Sequence, residues 1–200
     1  EGSLEEAAAL INEAKRPLVL VGQGVELGGA QAELRALVEK ADLPCGCTLL
    51  GLSALSSDHP LNKGMLGMHG NLAPNVKTNE CDVLIAVGMR FDDRVTGNLA
   101  TYAKQAKVIH MDIDPSEFNK NVKVDVEVLG NCKLTLKALA NLVTEAKHTE
   151  WIESFAEHDA IENKRVIEPE IHPVEGPLNM GEVVRAVSEE SNHEAILVTD

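Results

Sequence analysis

Aromatic residues are nearly absent from this 200-residue chain, which holds three Phe, one Tyr and one Trp. A stacking platform for nucleic-acid bases needs more of them. Basic residues are also in deficit, 18 Lys and Arg against 32 Asp and Glu, and a net charge of -14 opposes phosphate backbones and anionic headgroups. Neither nucleic acid nor a membrane is expected as a partner. No apolar run approaches the roughly 20 residues of a bilayer-spanning helix. The four cysteines, Cys45, Cys47, Cys81 and Cys132, are too few and too scattered for a disulfide scaffold and fit a reducing cytoplasm. Cys45 and Cys47 would face the same side of a strand, but no second Cys or His pair at zinc spacing follows them. The first residues lack the basic and apolar regions of a secretory signal, and there is no initiator Met. An internal piece of a longer chain is the expectation.

What is present is aliphatic. Hydrophobic residues make up 44%, and a chain of this size buries about 70% of its unfolded surface. Leu4, Ala8, Ile11 and Ala14 recur at helical spacing, and Pro17 opens the apolar run Leu18-Val19-Leu20-Val21, which stops at Gly22. A helix over 28–41, a strand over 44–49 and a weak helix over 71–80 follow. Val83 to Val87, Lys107 to Ile113 and Val122 to Leu129 read as strands, and a helix runs on to about Ala146. Five apolar strands alternating with helices predict an α/β fold with a right-handed, doubly wound parallel sheet.

The charge then shifts, from -4 over residues 1–144 to -10 over 145–200. Trp151, Ile152, Phe155 and Ile161 predict one more amphipathic helix. Pro169, Pro173 and Pro177 mark an extended linker over 166–177, closing a first domain at 165. Beyond it, Met180 to Ser191 reads as a helix and Ala195 to Asp200 as a strand, so 178–200 is expected to open a further α/β domain.

Ligands of open parallel sheets bind outside the carboxyl ends of the strands. Those ends read Gly22-Gln23-Gly24, Thr48-Leu49-Leu50-Gly51, Gly88-Met89-Arg90-Phe91-Asp92-Asp93-Arg94 and Asp112-Ile113-Asp114. The glycines suit a backbone that approaches a phosphate, or simply a strand turning into a helix. Asp112 has the placement of an acid that binds ribose hydroxyls, while Asp114 suits a cap for the helix begun by Pro115. Arg90 and Arg94, flanked by Asp92 and Asp93, offer two forks for a diphosphate or else form a surface ion-pair cluster. Gly64-Met65-Leu66-Gly67-Met68-His69-Gly70 frees the backbone at three points and offers Met and His to a flat ligand. No triad, Walker loop or paired-His site is visible.

Taken in order, Gly64 to Gly70, Arg90-Phe91-Asp92-Asp93-Arg94-Val95-Thr96-Gly97 and His110-Met111-Asp112-Ile113-Asp114-Pro115 closely resemble the acetolactate synthase (acetohydroxyacid synthase) large-subunit family, thiamine-diphosphate enzymes. The resemblance implies a Rossmann-like, DHS-like central domain over 1–165 that binds FAD structurally. It implies that Gly22 and Gly24 approach the diphosphate, that Gly88 belongs to the cofactor-binding set, and that Thr48, Leu49 and Leu50 line the flavin side. Gly67, Met68 and His69 would lie along the cofactor, Arg90, Asp93, Arg94 and Val95 would continue that wall, and Asp112 with Ile113 would hold ribose and adenine. Gln23 stands where the family commonly has Gly, and Asn131 where it commonly has Asp. The whole enzyme would use thiamine diphosphate and Mg²⁺ to join two pyruvates, or pyruvate and 2-oxobutyrate, with loss of CO2 in branched-chain amino-acid synthesis. The resemblance implies a homo-oligomer, dimer or tetramer, with a possible regulatory small subunit. It places the activating glutamate and the metal ligands outside this chain, so these 200 residues alone are expected to be inactive, with no catalytic or metal residues of their own. Rival readings are another thiamine-diphosphate enzyme, of the glyoxylate carboligase or pyruvate oxidase type, and a non-enzymatic nucleotide-binding module.

Overall fold

A computed structural model describes residues 2–198. Residue contacts divide the chain into two units, Glu1–Ala156 and Glu157–Asp200.

The first unit is built on six parallel strands: β1 (Pro17–Val21), β2 (Cys45–Cys47), β3 (Asn62–Met65), β4 (Val83–Val87), β5 (Lys107–Asp112) and β6 (Val126–Leu129). Their order across the sheet is β3-β2-β1-β4-β5-β6. The connecting helices are α1 (Gly2–Glu13), α2 (Gln23–Leu27), α3 (Gln31–Ala41), α4 (Leu72–Thr78), α5 (Asp93–Thr96), α6 (Cys132–Leu142) and α7 (Thr149–Glu153). Strands β1 and β4 are buried at every position, which is why they read as unbroken apolar runs. Their alternate residues feed two cores. Val19, Val21, Ile85 and Val87 join the cluster that takes in Ile11, Leu34, Leu37 and Leu136 of α1, α3 and α6. Leu18, Leu20, Leu84 and Ala86 join the other, with Phe91, Trp151 and Phe155.

Residues 144–155 close the amino-terminal edge of this sheet. Thr144 N–H donates to Asn12 Oδ1 at 2.8 Å, His148 N–H to Asp42 Oδ2 at 2.7 Å, and Trp151 Nε1 to the Pro17 carbonyl at 2.7 Å. The buried Lys77 ammonium lies 5.1 Å from the Trp151 ring centroid and is paired with Glu80 at 2.7 Å. This strap fixes the point where β1 begins.

Three features differ from the sequence reading. Strand β3 is a sixth strand that no apolar run announces: Asn62-Lys63-Gly64-Met65 is half-buried at the sheet's edge. The stretch 166–171 is helical rather than extended, because a helix α8 (Ala156–Glu162) runs through a π-helical turn (Asn163–Ile167) into α9 (Glu168–Ile171). Pro169 is the second residue of α9, directly after the π-helical turn, where the regular backbone ladder is already interrupted. Residues 195–198 form no strand, and among the described residues no strand pairs with them, as a strand requires. The last two residues of that predicted strand lie outside the described ones.

The second unit carries α10 (Met180–Glu190), whose start is a capping box. Glu182 N–H donates to Asn179 Oδ1 at 2.9 Å, and Asn179 N–H to Glu182 Oε2 at 3.0 Å. None of its described residues is fully buried. Among the described residues no helix is long and apolar enough to cross a membrane.

Candidate functional site

The strand order reverses direction between β1 and β4, and a sheet of this order opens a crevice at that point. The two strands end level, Val21 beside Val87. Two turns follow, and they touch through backbone alone. Gly22 N–H donates to the Val87 carbonyl and Gly24 N–H to the Gly88 carbonyl, both at 2.9 Å. A Cβ on Gly22 would lie 2.3 Å from the Gly88 carbonyl oxygen, one on Gly24 2.7 Å from the Gly88 Cα, and Gly88 itself has φ +56°. Side chains at these three positions are sterically excluded, which leaves peptide groups as the floor of the crevice.

Around that floor is a cleft of about 610 Å³, within the size of small-molecule sites, roughly 300–1,000 Å³. From the sequence-predicted set it is lined by Gly24, Thr48, Leu49, Leu50, Gly88, Arg90, Arg94, Val95, Asp112 and Ile113. Gly22 lies beneath it, against Gly88. Asp93 does not line it and instead occupies the first turn of α5, after Asp92, whose carboxylate caps that helix by accepting from Arg94 N–H at 3.1 Å. Gly67, Met68 and His69 do not line it either. They adjoin its wall, since Met68 N–H donates to the Arg94 carbonyl at 2.7 Å and the Arg94 guanidinium lies 3.9 Å from Met68 Sδ.

The charged groups are unequally held. Arg90 is exposed and pairs with Asp92 at 3.5 Å, a contact worth little in water. Asp112 is buried, with Oδ1 accepting from Asp114 N–H at 2.9 Å and Oδ2 3.8 Å from His110 Nε2. Asp114 carries the capping role, accepting from Ser116 N–H at 2.9 Å, and hydrogen bonding from the Ser116 side chain, then from its N–H, holds its carboxyl below the usual range. His110, fully buried, bonds the Met89 carbonyl at 2.9 Å through Nε2, and burial keeps the ring below its ordinary pKa and neutral. It stands edge-on to Phe91 and Phe118.

Gln23, Leu27, Gly28, Met89, Asp92, Asn131 and Cys132 also line the cleft; Gln23, Met89 and Asp92 belong to the strand-end turns read from the sequence and Asn131 to the positions it singled out, whereas Leu27 and Cys132 were not anticipated. Leu27 and Gly28 come from the far end of α2, away from any strand end, and Asn131 and Cys132 follow β6, whose end is not among the four strand ends singled out in the sequence. The Asn131 Oδ1 caps α6 through Lys133 N–H at 3.0 Å. The Cys132 thiol packs against Gly88, and burial pushes its pKa up to about 11. It is therefore a wall and not a nucleophile. Leu27, Leu49, Leu50 and Ile113 stay exposed at the rim. The arrangement can hold an elongated ligand with an anionic middle, an apolar flank and a hydroxylated end. No three His, Cys, Asp or Glu side chains converge as metal ligands among the described residues.

Comparison with known proteins gives this cleft a family. Residues 4–139 match the family described as thiamine pyrophosphate enzyme, central domain. The chain is 46% identical to a probable acetolactate synthase large subunit of Methanocaldococcus jannaschii over 77% of its own length and 27% of the relative's. It is 40% identical to the acetolactate synthase large subunit of Parasynechococcus marenigrum over its whole length and 32% of that protein. With acetolactate synthase isozyme 2 large subunit of Escherichia coli it shares 48% identity over 68% of this chain and 25% of that one. The chain thus spans about a quarter to a third of the curated relatives it matches.

Proposed function

The chain belongs to the family of thiamine pyrophosphate enzyme central domains, and from that premise we propose that it is the central, cofactor-binding part of an acetolactate synthase large subunit. In this reading residues 1–165 form the central domain, 166–177 the linker and 178–200 the start of the thiamine-diphosphate-binding domain. The whole enzyme would act in the cytoplasm, as a homo-oligomer, on pyruvate and a second 2-oxo acid, with thiamine diphosphate and Mg²⁺. None of the described residues is proposed as a ligand of the metal.

The cleft is proposed to take FAD. The observation that carries this is the side-chain-free crossing of Gly22, Gly24 and Gly88 at the switch point, between two arginines and a buried aspartate. Peptide groups with Arg90 suit a diphosphate, and Arg94 with Val95 the wall beside the flavin half. The Asp112 carboxylate suits a ribose hydroxyl, Ile113 an adenine face, and Thr48, Leu49 and Leu50 the flavin side. Bound FAD would act as a structural ligand, its two-electron chemistry unused. Arg90 and Asp112 orient the ligand, and the leucines keep water from its flank.

Titration of the chain with FAD, followed by flavin fluorescence, tests the reading. Saturable binding is expected with a dissociation constant on the order of micromolar, which corresponds to about 8 kcal/mol. ADP should compete, and Asp112→Asn should weaken both ligands. Binding of neither ligand at millimolar concentration would sink it. Acetolactate formation by these 200 residues alone, supplied with pyruvate and all three cofactors, is expected to be absent.

A further inference from the structure

We propose that Asn75, which does not line the cleft, is a positioning residue for its flavin half and sets affinity for the whole of FAD without affecting its adenosine end. The inference rests on the FAD reading above.

Asn75 lies on α4 and holds one residue of the preceding loop at both its polar groups. Gly67 N–H donates to Asn75 Oδ1 at 2.9 Å, and Asn75 Nδ2 donates back to the Gly67 carbonyl at 2.9 Å and to the Asn71 carbonyl at 3.0 Å. This set of donors and acceptors admits only one orientation of the amide. Gly67 has φ +104°, and a Cβ there would lie 2.8 Å from the Arg94 carbonyl oxygen. The next residue, Met68, donates its N–H to that same oxygen at 2.7 Å and rests its sulfur 3.9 Å from the Arg94 guanidinium. One side chain therefore fixes the loop, and the loop fixes both the main chain and the head of Arg94. Arg94 and Val95 form the cleft wall.

The sheet order makes this effect one-sided. The loop held by Asn75 follows β3, at one edge of the sheet, with β2 and its Thr48-Leu49-Leu50 turn next to it. Asp112 and Ile113 end or follow β5, on the other side of the β1/β4 switch. A ligand that lies across the switch has its adenosine end over β5 and its far end over β2. Loosening the loop disturbs only the far end.

The experiment compares FAD and ADP dissociation constants for the unaltered chain and for Asn75→Ala, with thermal melting and the visible circular dichroism of bound flavin recorded alongside. Asn75→Ala is expected to weaken FAD about tenfold, the scale of one or two lost positioning bonds, and ADP less than about twofold. The flavin dichroism should change shape, a readout that general loss of stability does not move. Gly67→Ala attacks the same contact from the other side and should give the same split, so it carries the test if Asn75→Ala fails to fold. Equal weakening of FAD and ADP, or no change in either, overturns the inference and leaves the cofactor reading standing. An unaltered chain that binds neither ligand overturns both.

Discussion

The two units of this chain have similar apolar patterns and opposite fates. Leu84 in β4 is fully buried between two neighbouring strands, whereas Val184 in α10 is 42% exposed and Val174 entirely so. Hydrophobic residues at helical or strand spacing are present in both. What differs is a partner surface: β1 and β4 each find strands on both sides and helices on both faces, while α10 has no such cover among the described residues. A pattern states what an element could bury, and only neighbours decide whether it does.

The largest expected difference is in proteolysis. Cleavage should fall first within residues 172–178, which are non-helical and mostly exposed, and strands β1 to β6 should survive it by orders of magnitude in time, because cutting them requires opening the whole sheet. Gel and mass analysis of a brief digest checks this, and early cuts between residues 17 and 130 would reverse the comparison. Next comes a matched pair of substitutions followed by urea unfolding. Leu84→Ala should cost about 2–5 kcal/mol through cavity formation, and Val184→Ala less than about 0.5 kcal/mol as a surface change. A cost at Val184 near that of Leu84 would reveal a core in the second unit.

Asn179→Ala should lower helix content near α10 by removing a cap worth about 1 kcal/mol. Amide exchange should register this in residues 180–190 and leave β1 unchanged. The smallest effect is a pH dependence confined to the first unit. His110 is buried and neutral, with its folded pKa below the unfolded value. Its contribution is fully present above the unfolded pKa of about 6.5 and is lost as pH falls below that toward the folded pKa. The urea midpoint should drop between pH 7 and pH 5, and His110→Gln should flatten part of that drop. An identical profile in the variant would show that other groups set it.

These contrasts explain what could be read from the sequence. β1 and β4 were legible because strands buried on both faces need continuous apolar residues. β3 was not, because an edge strand half in water can be Asn-Lys-Gly-Met and owes its shape to hydrogen bonds from β2. Ala195 to Val198 shows the reverse: an apolar run without a neighbour to pair with. Pro169 misled because the π-helical turn ahead of it already interrupts the ladder that a proline would break, so the helix runs past it. In the site, the residues at strand ends were visible because a parallel sheet presents all its carboxyl ends on one side. Leu27 and Cys132 were invisible because their exposure to the cleft depends on how α2 and α6 pack.

The strap over residues 144–155 has a consequence for how the chain comes into being. Trp151 closes onto the Pro17 carbonyl across 134 positions, so at about 5–20 residues per second a ribosome needs roughly 7–27 s between making the central strand and making the residue that seals its beginning. Strand β4, which supplies one whole side of β1, also arrives 66 positions after it. During that interval β1 is a fully apolar strand with an open edge, the kind of segment that pairs with the wrong neighbour. The earliest and most buried element of the sheet is therefore one that must wait for its covering residues with an unpaired edge.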